Sequence, residues 1–172
     1  MKKTVRLIVT EACSRKCSYC CNNLSTEFAC AKRVNIEQFS AVGYDELVIS
    51  GGEPMLVPTL VETIVRKYRL PTYLYSALYT RECKRMLNNR LFTGISYTLH
   101  EKFGLNDRYR FYRLQKDIQE MPWVSARLKI HPSVSHMNLG IVEKIWSRID
   151  RRPFNDESCP LPENEQLFIL TQ

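Results

Sequence analysis

No stretch of this sequence is apolar for long enough to cross a bilayer. The opening residues, MKKTVRLIVTEAC, have two lysines and then only a brief apolar run before Glu11, too short for the core of a secretion signal. A cytoplasmic location without a membrane partner is the expectation. Cysteine, at seven of 172 residues, is too sparse for a disulfide scaffold, and the number is odd. Six glycines and eight prolines exclude collagen-like and low-complexity architectures. The chain also lacks a second CxxC pair, which zinc ribbons use, and its three histidines are not grouped with cysteines in the sequence, so a second metal is not expected.

What remains is ordinary globular usage, 44% hydrophobic and 25% charged, in a length that suits one core, so residues 1–172 are read as a single domain. The net charge of +7 would suit an anionic partner such as nucleic acid, a nucleotide or an acidic protein surface.

Strand and helix patterns alternate along the chain. TVRLIVT (4–10) is rich in β-branched residues and reads as a strand that ends before the cysteines. Asn35 and Gln38 form a capping-box pattern for a helix over NIEQFSAV, closed by Gly43. A strand at 46–50 stops on Gly51 and Gly52, and Leu60, Val61, Ile64, Val65 and Tyr68 follow a helical face after Pro58. TYLYSALY is a strand, Thr80 caps a helix bearing Met86 and Leu87, and FTGISYTLH is the next strand. Phe111, Leu114, Ile118 and Met121 give a helix over Asn106–Glu120 its apolar face. VSARLKIHPSV then reads as a strand, NLGIVEKIWSRI as a helix, RRPFNDESCPLPEN as a loop and EQLFIL as a last strand. This alternation predicts an α/β fold with a parallel sheet, open or curled into a partial (βα)6-type TIM barrel, whose ligands gather at the carboxyl ends of the strands.

The segment CSRKCSYCC places four cysteines in nine positions. Cys13, Cys17 and Cys20 have the spacing CxxxCxxC, which lets one short loop aim three thiolates at a single cluster, whereas Cys21, adjacent to Cys20, should point away. Three ligands on a four-iron cluster leave one iron open. The alternative is structural zinc with Cys30 or Cys21 as the fourth ligand. The bacterial ferredoxin pattern, which ends in Cys-Pro, is absent from the loop, and Cys159-Pro160 stands alone.

CSRKCSYC, with Tyr19 before the third cysteine, resembles the signature of the radical S-adenosylmethionine (SAM) superfamily, and ISGGEP (49–54) is similar to its glycine-rich GGE motif after the second core strand. The resemblance implies a radical SAM core with a [4Fe–4S] cluster held by Cys13, Cys17 and Cys20, whose fourth iron is chelated by the amino and carboxylate groups of SAM. It further implies reduction by an electron donor such as flavodoxin or ferredoxin, and cleavage of SAM to methionine and a 5′-deoxyadenosyl radical that takes hydrogen from a substrate. Tyr19 would lie beside the adenine, Gly51 and Gly52 would let the main chain approach the SAM amino group, and Glu53 would add negative charge near it.

At the ends of later strands the family uses polar residues to hold SAM. Here Ser76, then Ser96, Thr98 and His100, then Arg127, Lys129 and His131 are available, with Ser76, Thr98 and Arg127 put forward. Only twelve residues precede Cys13 and no second cysteine cluster follows, so neither an amino-terminal specificity domain nor an auxiliary cluster domain is expected. A bulky substrate or partner, such as a peptide or protein, would then complete the wall of the site, as for the compact activases of glycyl-radical enzymes. Modification of a small nucleotide, deazapurine or RNA is the alternative. A non-catalytic metal-binding module that holds nucleic acid is the reading from another class, and it leaves GGEP unexplained.

Overall fold

The computed structural model describes residues 2–24, 26–151 and 161–171. Its first elements are β1 (Thr4–Ile8), α1 (Cys21–Leu24), α2 (Thr26–Cys30), β2 (Lys32–Asn35) and β3 (Glu46–Ser50). There follow α3 (Pro58–Tyr68), β4 (Thr72–Ser76), α4 (Arg81–Asn88), β5 (Gly94–Leu99) and α5 (Leu105–Gln119). The last are β6 (Ser125–Ile130), β7 (Arg148–Asp150) and β8 (Glu165–Thr171). The eight strands form one sheet in the order β2-β8-β1-β3-β4-β5-β6-β7, and every neighbouring pair is parallel. The fold is therefore α/β with a single all-parallel sheet, as the alternation predicted.

From β1 through β3 to β7 the strands lie side by side in chain order. Right-handed crossovers that always step the same way place their helices on one face. Ile64 of α3, Met86 of α4 and Phe111 of α5 accordingly join Leu47, Leu74 and Ile95 in one buried cluster. The opposite face has a smaller cluster at its β1–β8 end, where Ile8, Leu167 and Ile169 meet Phe28, Ala31 and Leu161. Local signals set several boundaries. The Thr80 hydroxyl accepts from Cys83 N at 3.1 Å, capping α4 as read from the sequence.

Two expected helices are absent. Asn35 does not start a helix over 35–42. It ends β2, its Oδ1 accepts from Glu37 N at 2.8 Å, and the chain turns, because a side-chain turn satisfies the same donors a helical cap would. In β2, Lys32 to Asn35 pairs with Phe168 to Thr171, so edge pairing takes a segment that local pattern assigns elsewhere.

The stretch 138–149 is likewise not helical. Gln115 of α5, buried at 3% exposure, donates to Gly140 O and accepts from Val142 N at 2.8 Å and from Trp146 Nε1 at 3.4 Å. These bonds take up the backbone groups a helix would use, Gly140 sits at φ +58, and the chain passes through one 3-10 turn (Glu143–Ile145) into β7. Trp146 still reaches the core, stacked 6.0 Å from Phe111. Most of the predicted loop 151–164, including Cys159, lies outside the described residues. Among the described residues no helix is long and apolar enough to cross a membrane.

Candidate cofactor site at the carboxyl edge of the sheet

The cysteine loop leaves the carboxyl end of β1, and the double glycine leaves the carboxyl end of β3, its direct neighbour. The two loops are bonded together. Gly52 N donates to Thr10 O at 2.7 Å and Glu53 N to Ala12 O at 2.8 Å. A Cβ on Gly52 would lie 2.6 Å from both Glu11 O and Ala12 C, and Gly51, at φ +144, lies equally close against Thr10. The glycines thus press the GGEP turn onto the backbone that leads into Cys13. This tight docking accounts for both glycines, which were expected to serve a ligand's approach.

Glu53 faces inward, 4% exposed. Its carboxylate accepts from Ser76 Oγ at 2.6 Å, Ala77 N at 2.9 Å and Met55 N at 3.1 Å. Burial pushes its pKa above the ordinary carboxylate range, against the opposing pull of these bonds and of the Arg15 charge. Ser76, proposed from the sequence as a ligand contact, shares its face of β4 with buried Leu74 and gives its hydroxyl to Glu53. The pair ties the end of β4 to the GGEP turn.

Tyr19 crosses from the cysteine loop to the ends of β5 and β6. Its ring stacks on His131 at 4.5 Å and lies near-parallel to His100 at 5.9 Å, while its hydroxyl meets His100 Nδ1 at 2.9 Å and accepts from Glu101 N at 3.2 Å. Cys17 Sγ is 3.6 Å from the same Nδ1. Burial, with the nearby Arg15 and His131 charges, lowers His100 to about 4, so the imidazole is neutral at physiological pH. The structure therefore brings histidines to the cysteines that the sequence keeps apart. Both are the first residue after a strand, a placement visible in the pattern but passed over in favour of Thr98 and Arg127.

Arg15 anchors the loop from the other side through an ion pair with Asp107, whose second oxygen accepts from Gly104 N at the start of α5. Sequence reading missed this contact between partners 92 positions apart. Tyr19→Phe should keep the stacking but leave Glu101 N without its acceptor, at a cost of about 1–2 kcal/mol. That corresponds to a melting temperature lower by roughly 3–6 °C for a chain of this size, read by thermal denaturation.

Cys13, Cys17 and Cys20 are free thiols, and Cys21 is not among the free set. Burial raises the Cys17 pKa against the opposing bond to Tyr19, and the charges of Cys20 and Cys13 raise it further. The three thiols do not converge: among the described residues no group of three or more His, Cys, Asp or Glu side chains forms a finished metal-binding set. Soft thiolates on one short loop suit iron–sulfur chemistry, and ligands of this kind commonly draw together only on loading. The donor set thus fits a three-cysteine cluster.

Thr98, half-buried, lies on the same face of β5 as Ser96, while Arg127 lies mid-strand on β6, exposed, with its guanidinium 5.9 Å over the Tyr73 ring. No protein-family model matches the chain and no curated protein matches it in sequence.

Proposed function

We propose that this protein is a radical SAM enzyme, with its parallel strands from β1 through β7 serving as a partial barrel. What carries the reading is the joining of two motifs: a CxxxCxxC loop after β1, and a GGEP turn after the adjacent β3 that is hydrogen-bonded to the entry of that loop. Either motif alone has ordinary explanations, a zinc loop for one and a tight turn for the other. Their attachment at the carboxyl edge of a parallel sheet, where such folds bind ligands, is what those explanations leave out.

Cys13, Cys17 and Cys20 would hold a [4Fe–4S] cluster, with SAM seated beside it. When bound, that pair supplies one-electron cleavage of SAM to methionine and a 5′-deoxyadenosyl radical, driven by an external donor such as flavodoxin or ferredoxin. The chain's own residues then have three tasks. Gly51 and Gly52 hold the loop at the end of the sheet, Arg15 with Asp107 fixes its far side, and Tyr19 with His131 and a neutral His100 makes an aromatic wall that limits water at the strand ends. A neutral His100 does not repel a cationic sulfonium.

The test is anaerobic reconstitution, reduction with dithionite in the presence of SAM, and chromatography for 5′-deoxyadenosine. The native chain should take up iron and sulfide and form deoxyadenosine, and Cys17→Ala should do neither. Iron uptake with no deoxyadenosine above the Cys17→Ala background defeats the catalytic reading, and a single zinc without sulfide defeats the whole of it.

A further inference from the structure

The face of the sheet opposite α3, α4 and α5 has no helix over β4, β5 and β6 among the described residues. Parallel register places Tyr75, Ser96, Arg127 and Arg148 in one row across it, with Thr98, Lys129 and Asp150 in the next row towards the cysteine edge. Gly94 makes this arrangement fit, because a Cβ there would come within 2.9 Å of the Tyr73 ring.

Charge on this face does not balance. Arg6 pairs with Glu165, Lys2 with Glu46 and Arg148 with Asp150. Arg127 and Lys129 make no ion pair among the described residues, although Asp150, the register neighbour of Lys129, is paired with Arg148. Each instead lies loosely over a tyrosine, Arg127 at 5.9 Å from Tyr73 and Lys129 at 5.4 Å from Tyr75. Directly beside Arg127 in the register, between it and Tyr75, is Ser96, 2% exposed, whose hydroxyl has no hydrogen-bond partner among the described residues. A buried orphan hydroxyl is costly unless something completes it.

We infer that Arg127, Lys129 and Ser96 form the subsite for an oxyanion, a phosphate or carboxylate, on a small organic substrate. The inference rests on the radical SAM reading for the word substrate, while the anion site itself does not. Cation–π contacts at these separations are weak, and a charge-assisted bond to an oxyanion is stronger, so both cations would turn from the tyrosines to the ligand. Displacement of Arg127 uncovers Ser96 as a third donor. Distance bounds the substrate. His131, which stacks on Tyr19, follows Lys129 by two residues and Arg127 by four, so at the strand rise the charged group sits about 7–13 Å below the cysteine edge. A compact anion of that length, entering with its charge first, presents its far end to the cofactor site.

Calorimetry on the full chain, metal-free and reconstituted, with inorganic pyrophosphate and with citrate as probes separates the phosphate from the carboxylate source. The expected result is one saturable site for at least one probe, weakened about tenfold or more by Arg127→Gln with Lys129→Gln and about threefold by Ser96→Ala. Arg81→Gln with Arg113→Gln, on the exposed helix surfaces, should leave it unchanged. Arg127 is exposed, so Arg127→Gln alone, with a loss of about threefold, keeps the test available should the double variant melt early. No saturable binding, equal loss in the Arg81/Arg113 variant, or binding of a single-stranded RNA that neither probe displaces would each overturn the inference. Deoxyadenosine formation is measured separately on the loaded protein. Its loss with anion binding intact sinks only the enzyme reading, and the reverse sinks only the anion site.

Discussion

Gly52→Ala should detach the cysteine loop from the sheet and lower stability by about 3–5 kcal/mol, a fall of roughly 8–15 °C in melting temperature. An added methyl in a tight place costs about 1–3 kcal/mol when side chains can move aside. Here the obstacle is main chain, Glu11 and Ala12, at the exit of a strand paired on both edges. The turn can only retreat, which strains or breaks the bonds Gly52 N to Thr10 O and Glu53 N to Ala12 O, worth about 1 kcal/mol each. The variant should therefore also take up little iron on reconstitution, even though every thiol is present. Thermal denaturation and iron analysis check the two halves. A variant that melts within about 2 °C of the native chain would show that the turn and loop are not locked together.

Removal of the Glu53 carboxylate is the second large effect. Glu53→Ala strands Met55 N and Ala77 N inside the fold, each costing about 1–3 kcal/mol if left unmade, while the Ser76 hydroxyl falls back on Leu78 O, so a total near 3–4 kcal/mol is expected. Glu53→Gln should cost less, because the amide oxygen still accepts on one side. The Gln variant also isolates the effect of charge. With the folded pKa raised above 4.5, the folded state holds the proton more tightly than the unfolded chain does. That contribution is complete below the unfolded pKa and is lost as pH rises through the folded value. Urea unfolding of both proteins between about pH 4.5 and pH 7 should therefore show the native chain losing ground to Glu53→Gln as pH rises. A gap that widens in favour of the native chain would mean the hydrogen bonds outweigh burial.

The elements legible in the sequence are those whose signals are local. β-branched runs marked β1 and β3, a helical stripe marked α3, and Thr80 capped α4 by the bond its position implies. What was illegible depended on partners far along the chain. Val34 at the edge of the sheet owes its strand to Leu170, and residues 138–149 lose their helix to Gln115. The candidate site divides in the same way. The thiols and glycines are recognisable by spacing, but Ser76 belongs to Glu53, and Tyr19 finds His100 across 81 positions, which no spacing rule anticipates.

The position of β8 bears on how the protein is made. β1, which leads into the cysteines, pairs on one side with a strand whose first matched residue is Glu165, opposite Thr4. Contacts so distant in sequence form slowly and late. On the ribosome, β1 would wait with that edge open, its apolar row unpaired, until nearly the whole described chain had emerged. The anchorage of the thiol loop is thus among the last things to mature, and under the proposed function loading with metal is expected to follow synthesis rather than accompany it.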